Sequence, residues 1–349
     1  MHPESIPDRD SAVSTPLEGT FTHRLSVVIP VYQGAMTLRA VIAEVAPLVE
    51  GFTTPAGHAA RVEEVVLAYD RGPDGSDAVI RELAKSHAWI KPVWLSRNFG
   101  QHAATLAGIA SSGGDWVVTM DEDGQHDPAY VSVLLDTALA QGADLVYAEP
   151  VNRPPHGFVR NTASKTSKRL LESVFGGGKA SHFNSYRLIL GEIARSVAAY
   201  AGNGVYLDVA LGWVSANVVT APVMLREEGD RRSGYSYRRL FAHFWRMILT
   251  SGTRGLRLVT GAGVLFFMGG VLFALYLVVV RFAAGDIPEG WTSQMVLTAL
   301  GIGVILVSLG IIAEYLGVAV NAALGKPAYL IVRDPAAGPL GRAPGDADR

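Results

Sequence analysis

Between residues 24 and 150 the chain alternates short runs of consecutive apolar residues with longer segments whose apolar positions recur every three or four residues. The runs LSVVIPV (25–31), RVEEVVLAY (61–69), KPVWLS (91–96), DWVVTM (115–120) and ADLVYAE (143–149) predict five strands. Between them AMTLRAVIAEVAPLV, DAVIRELAKSHA, QHAATLAGIASS and PAYVSVLLDTALAQ predict helices, the last opening on proline, a favoured first-turn residue. Such alternation predicts an α/β fold with a mostly parallel sheet covered on both faces. Ligands of such sheets bind beyond the carboxyl ends of the strands, so the loops after residues 31, 69, 96 and 120 are where a site is expected. GFTTPAGHAA (51–60) reads as a surface excursion, and the polar, basic, Gly-rich residues 151–182 read as a mobile loop plus a helix.

The pattern changes near the C-terminus. LVTGAGVLFFMGGVLFALYLVVV (258–280) and WTSQMVLTALGIGVILVSLGIIA (291–313) are 23 residues each and carry no charge. About 20 apolar residues suffice for a helix to cross a bilayer, so two spans are expected. Buried core helices usually keep a polar stripe, whereas these runs are interrupted by little beyond Gly and Ser, which membrane helices tolerate. Arg238, Arg239, Arg246, Arg254 and Arg257 precede the first run, and Lys326 and Arg333 follow the second. Positive flanks on one side place both ends of the hairpin in the cytoplasm.

The first 24 residues lack the apolar centre of a signal peptide. RRLFAHFWRMIL (238–249) reads as an amphipathic helix in the headgroup layer. The expected organisation is a disordered tail at 1–23, a cytoplasmic domain at 24–235, a juxtamembrane helix at 236–256, a membrane hairpin at 257–317 and a cytoplasmic tail at 318–349.

Hydrophobic residues make up 49% of the 349 residues, and the excess over a typical soluble protein lies mostly in these two runs. A formal net charge of −2 gives no reason to expect nucleic acid as a partner. The absence of cysteine excludes disulfides, thiolate metal sites and cysteine nucleophiles. Small-residue faces such as GAGVLFFMGG suit helix–helix packing and a possible homo-oligomer.

Candidate chemistry gathers at the strand ends. Asp70 follows the second strand, Asn98 and Gly100 the third, and the fourth runs into VTMDEDGQHDP, with Asp121, Glu122, Asp123 and Asp127 close together. Residues two apart in an extended segment point the same way, so Asp121 and Asp123 are expected to converge while Glu122 faces away. Two carboxylates suit Mg2+, which takes one or two of them and completes its shell with water and substrate phosphate; Gln125 adds a neutral oxygen. Asp127, directly before Pro128, is expected to cap a helix.

LSVVIPVYQG, Asp70, SRNFGQHAATLAGIASSGGDWVVTMDEDGQHDP and the later NSYRLI together resemble the family-2 glycosyltransferases. Within them the similarity is greatest to the polyisoprenyl-phosphate group, which includes dolichyl-phosphate mannose synthase and bacterial undecaprenyl-phosphate glycosyltransferases, and it covers residues 24–250. The resemblance implies a GT-A, Rossmann-like fold, an inverting reaction, a nucleotide-sugar donor, a polyisoprenyl phosphate acceptor, a membrane location and Mg2+ or Mn2+. By position it implies Pro30 and Tyr32 along the nucleotide and Asp70 on the base or ribose. It further implies Asp121, Asp123 and Gln125 at metal and diphosphate, Arg153 and Arg160 on phosphate, and Arg187 in the family's F-R-L position. RRSGYSY (231–237) is similar to the family's segment before the membrane.

Three departures stand out. Tyr69 replaces the first aspartate of the usual V-D-D-G-S-T-D, Gly124 and an extra His126 alter D-A-D-L-Q-D-P, and the juxtamembrane lysine is missing. Asp208 lies near an acidic position of the family. The donor nucleotide implied is UDP, with GDP the alternative. No general base is assigned, since His102, His126 and His182 qualify by chemistry alone. The competing expectations are a glycosyltransferase that extends a polysaccharide and a catalytically silent scaffold of the same fold.

Overall fold

The computed structural model describes residues 23–151, 183–202, 205–226, 290–324 and 327–337, with a few positions between 268 and 279. The elements of the sheet-bearing part are β1 (His23–Val31), α1 (Leu38–Val49), β2 (Phe52–Thr53), β3 (Ala59–Tyr69), α2 (Ser76–Ser86), β4 (Ile90–Leu95), α3 (Gln101–Ala110) and β5 (Trp116–Thr119). They continue with α4 (Val131–Gln141), β6 (Leu145–Pro150), β7 (Arg187–Leu190), α5 (Gly191–Tyr200), α6 (Leu207–Val214), β8 (Val218–Val223) and β9 (Ile331–Val332). All five strands and four helices expected before residue 150 are present.

The strands line up as β8–β6–β7–β5–β1–β3–β4–β9, with β2 attached to β3. The expectation of a mostly parallel sheet needs correction, because the sheet is mixed. β1–β3, β1–β5, β3–β4 and β6–β8 run parallel, while β2–β3, β4–β9, β5–β7 and β6–β7 run antiparallel. β7 enters between β5 and β6 and runs antiparallel to both.

Alternating side chains fill two faces. Leu25, Val27 and Ile29 of β1 meet Leu38, Val41, Ile42 and Val45 of α1 and Val131, Leu134 and Leu135 of α4. Val28 points to the other face, with Ala104 and Ala107 of α3, Val197 of α5 and Leu207 and Ala210 of α6. That is the period-two division a strand imposes. Full burial of each Leu or Ile contributes about 1.5–3 kcal/mol. Helix α3 lies close on β1 because Gly108 faces Val28 and leaves no room for a Cβ. Asp127 caps the short 3-10 turn before α4, its Oδ1 accepting from Ala129 N–H at 3.0 Å, as expected. Gly142 ends α4 in the left-handed conformation that a glycine adopts freely (φ 58°).

The parallel neighbours β5, β1, β3 and β4 send their carboxyl-end loops to the same edge of the sheet. The far end of β4 also receives the C-terminal segment. Trp94 and Leu95 pair with Val332 and Ile331, and Ser96 N–H donates to the Leu330 carbonyl at 3.0 Å. Arg81 of α2 clamps this segment through Asp334 at 2.8 Å while also bonding Asp77 at 2.7 Å. The segment at 318–349, expected as a C-terminal tail, contains a strand of the sheet, and residues 335–337 form a 3-10 turn.

The chain divides into two compact units, one holding the sheet and including residues from Pro327 onward, the other running from Tyr235 to Lys326 with residues 173–175. In the second, α7 (Trp291–Ala323) is 33 residues long, ten more than the expected span at 291–313. The expected span at 258–280 lies mostly outside the described residues. Several side chains of α7 also lie outside them, and among the described residues no helix is long and apolar enough to cross a membrane.

Candidate active site

The acidic turn after β5 is built by its neighbours. Met120 N–H still bonds the Val28 carbonyl of β1, and the chain then leaves the sheet. Residues 121–124 form a turn, with Gly124 at φ 78°, so the extended geometry that would make Asp121 and Asp123 alternate with Glu122 does not hold.

Asp121 is oriented from three sides. Its Oδ1 accepts from Gln101 Nε2 at 2.7 Å, and its Oδ2 accepts from Ser185 Oγ at 2.6 Å. Its backbone N–H donates to His126 Nδ1 at 3.0 Å, which leaves the imidazole proton on Nε2. His126 is buried and stacks on Tyr186 with ring centroids 4.8 Å apart. Asp123 is exposed, and its Oδ1 accepts from Gln125 N–H at 3.0 Å. The Gln125 carbonyl in turn accepts from Arg226 N–H at 3.1 Å.

Glu122 reaches toward the β1–α1 loop. Its Oε2 accepts from Tyr32 N–H at 2.9 Å and its Oε1 from Gln33 N–H at 2.8 Å. Burial pushes its carboxyl up to about 7, the nearby charges of Asp74 and Asp121 add to the rise, and the two N–H donors oppose it. The charges of Asp74 and Asp121 thus lie close enough to Glu122 to disfavour its ionised form.

Asp70 serves the β4–α3 loop. It is 3% exposed, and its two oxygens accept from Phe99 and Gly100 N–H groups, both at 2.7 Å. Burial raises its carboxyl above the ordinary range, although those two bonds and Arg97 oppose the shift. Gly100 sits at φ 95°, which only glycine adopts without strain, and so delivers the first turn of α3 beside Asp121. Asn98 and Tyr32 are exposed, whereas Pro30 is buried in β1.

Arg187, the residue in the F-R-L position, lies inside the domain. It is 2% exposed, pairs with buried Asp208, and donates from Nε to Thr119 Oγ1 at 3.0 Å. Tyr147 Oη completes the cluster by donating to Asp208 Oδ1 at 2.8 Å. Thr119 Oγ1 donates to the Ser185 carbonyl at 2.5 Å, so the cluster supports the residue whose hydroxyl holds Asp121. Arg153, Arg160, His182 and the segment 231–249 lie outside the described residues.

The structure therefore brings Asp121, Asp123, Gln125 and Tyr32 to the strand ends and adds Gln101, Glu122, His126 and Ser185. Of the added four, Gln101 had a legible signal: it follows Gly100 at the start of a helix that leads off a strand end. Among the described residues no group of three or more His, Cys, Asp and Glu forms a self-sufficient metal cage. A cation on Asp121 and Asp123 would have to draw its remaining ligands from substrate and water.

Residues 26–195 match the family described as Glycosyl transferase family 2. This part of the chain is a family-2 glycosyltransferase domain. Among curated relatives, undecaprenyl-phosphate 4-deoxy-4-formamido-L-arabinose transferase of Klebsiella pneumoniae is 28% identical over 89% of this chain and 93% of its own length. The transferase of the same name from Aeromonas hydrophila is 28% identical over 88% of this chain and 92% of its own. Among solved structures, glucosyl-3-phosphoglycerate synthase from Mycobacterium tuberculosis, in complex with Mn2+ and UDP-glucose, has a TM-score of 0.44 and 17% identity, covering 67% of this chain and 79% of that one. Likeness at that level carries no argument about ligands.

Proposed function

We propose that the protein is an inverting glycosyltransferase that moves a sugar from a nucleotide-sugar, UDP-linked in our reading, to undecaprenyl phosphate at the cytoplasmic face of the membrane. The observation that carries this reading is the family-2 domain in a chain aligned over 89% of its length with a transferase named for undecaprenyl phosphate. The orientation of Asp121 by Gln101, Ser185 and His126 supports it.

The chemistry asks little of the protein. A phosphate monoester has its second pKa near 6, so the acceptor is largely dianionic at neutral pH and needs no strong general base. Its oxygen attacks the anomeric carbon as the nucleoside diphosphate leaves, and a single displacement inverts that centre. Asp121, Asp123 and Gln125 would hold Mg2+ or Mn2+, which when bound offsets charge on the leaving diphosphate. Tyr32 and the β1–α1 loop lie along the donor, and Asp70 fixes the loop beside it. Arg153 and Arg160 are our candidates for gripping the acceptor phosphate, because guanidinium forks bind phosphate bidentately.

The acceptor's tail cannot leave the bilayer, so the site must stay near it. Support for a membrane hairpin comes from the uncharged runs at 258–280 and 291–313. It also comes from exposed Met268, Leu272, Tyr276 and Val279, and from Ile302, Ile305, Val307, Leu309, Ile312 and Leu316 of α7, all 49% exposed or more. So much exposed aliphatic surface calls for a partner or for lipid. At 1.5 Å per residue the 33 residues of α7 extend about 50 Å, and its charge-free stretch 291–313 is the part we read as a span.

A screen of nucleotide-sugars, with label counted in organic-extractable lipid, tests the reading. Transfer from one donor into undecaprenyl phosphate is expected. Label that never enters lipid from any donor, the sugar named for the relatives included, would count against it.

A further inference from the structure

Four consecutive backbone N–H groups of the β1–α1 loop are taken by side chains from other loops. Tyr32 and Gln33 donate to Glu122 at 2.9 and 2.8 Å, Gly34 donates to Ser76 Oγ at 2.9 Å, and Ala35 donates to Asp74 Oδ2 at 3.0 Å. Ser76 and Asp74 bind each other and belong to the start of α2. Glu122 alone reaches across from the acidic turn. The fit is close on both sides, since a Cβ on Gly34 would stand 2.6 Å from Glu122 Oε2.

We propose that Glu122 is a positioning residue for the donor, its carboxylate locking the Tyr32–Gln33 backbone to the turn that carries Asp121 and Asp123. The loop that lies along the nucleotide and the turn that meets its diphosphate are thereby held in one register. The inference rests on the donor site proposed above and assigns Glu122 no contact with substrate or cation. The geometry separates it from its neighbours: both Glu122 oxygens are engaged by N–H donors, whereas Asp121 faces Gln101 and Ser185 and Asp123 is exposed.

The test compares wild type, Glu122→Ala, Glu122→Gln and Gly34→Ala as full chains in detergent. UDP binding with Mn2+ is measured by calorimetry, alongside KM for donor and for acceptor. Glu122→Ala is expected to weaken UDP binding and raise donor KM about ten-fold or more, the scale of lost charge-assisted hydrogen bonds, with acceptor KM unchanged. Glu122→Gln should recover part of the loss, because its amide oxygen still accepts one N–H. Gly34→Ala should reproduce the donor defect, and the double variant with Glu122→Ala should be no worse than either single one.

Donor affinity unchanged in Glu122→Ala, equal losses for donor and acceptor, or a glutamine variant no better than alanine would overturn the inference. Wild-type protein that binds no nucleotide would instead overturn the donor-site reading beneath it. Should Glu122→Ala fail to fold, Gly34→Ala decides alone: a donor-specific defect supports the inference and wild-type donor binding refutes it.

Discussion

Arg187 and Asp208 meet inside the domain, where neither charge can be rehydrated. Removing one partner of a buried pair costs about 3–5 kcal/mol, because the other is left charged and unmatched. Arg187→Met should therefore lower the urea midpoint strongly, while the double replacement with Asp208→Leu should restore much of it. A single variant as stable as wild type would contradict the pairing. Ser185→Ala removes one hydrogen bond from Asp121 and should lower turnover by roughly two- to ten-fold, at about 1 kcal/mol per bond. Asp121→Asn, which would weaken the hold on a cation in the proposed site, should lower it about 100-fold or more. Equal losses in the two would argue that Asp121 is merely a hydrogen-bonded turn residue. At this scale the sequence showed which loops carry carboxylates but not which way they face. Glu122 turned inward because the chain bends at Gly124, and Arg187 was absorbed by Asp208, which lies 21 residues further on.

The elements read most clearly from the sequence were those buried on both faces, because continuous apolar runs such as LSVVIPV have few alternatives. β7 and β9 were not legible, being four and two residues long with partners far away in the chain. β9 illustrates the difficulty, since its place is set by Arg81, 253 residues from Asp334. That clasp makes a pH prediction. Arg81 beside Asp334 holds its carboxyl below the ordinary range, chiefly through their hydrogen bond. A depressed carboxylate contributes stability above its unfolded pKa of about 3.9 and loses it as pH falls through the lower folded value. Hydrogen exchange at Ser96 N–H, which bonds Leu330, should therefore stay slow at neutral pH and accelerate below about pH 4. Asp334→Asn should exchange fast at both; protection that is insensitive to the substitution would show the strap is held by other means.

For the whole molecule, residues 23–226 and 327–337 contribute strands to one sheet, so the intervening chain must leave and return on the same side of any bilayer. Any crossing by 227–326 is then even in number, which agrees with a hairpin. A tag after residue 349 and the sheet domain should be equally accessible to protease in sealed vesicles; protection of one alone would exclude that topology. The sequence carried the apolar runs in plain view, but the return of the chain to β4 was invisible in them. The claim these scales share is our proposal that a pyrophosphate donor is held at the strand ends through Asp121 and Asp123. Calorimetry of UDP binding with and without Mn2+, on wild type and on the Asp121→Asn/Asp123→Asn double variant, tests that most directly. The account predicts metal-dependent binding that the double variant loses; undiminished metal-dependent affinity in the variant would contradict it.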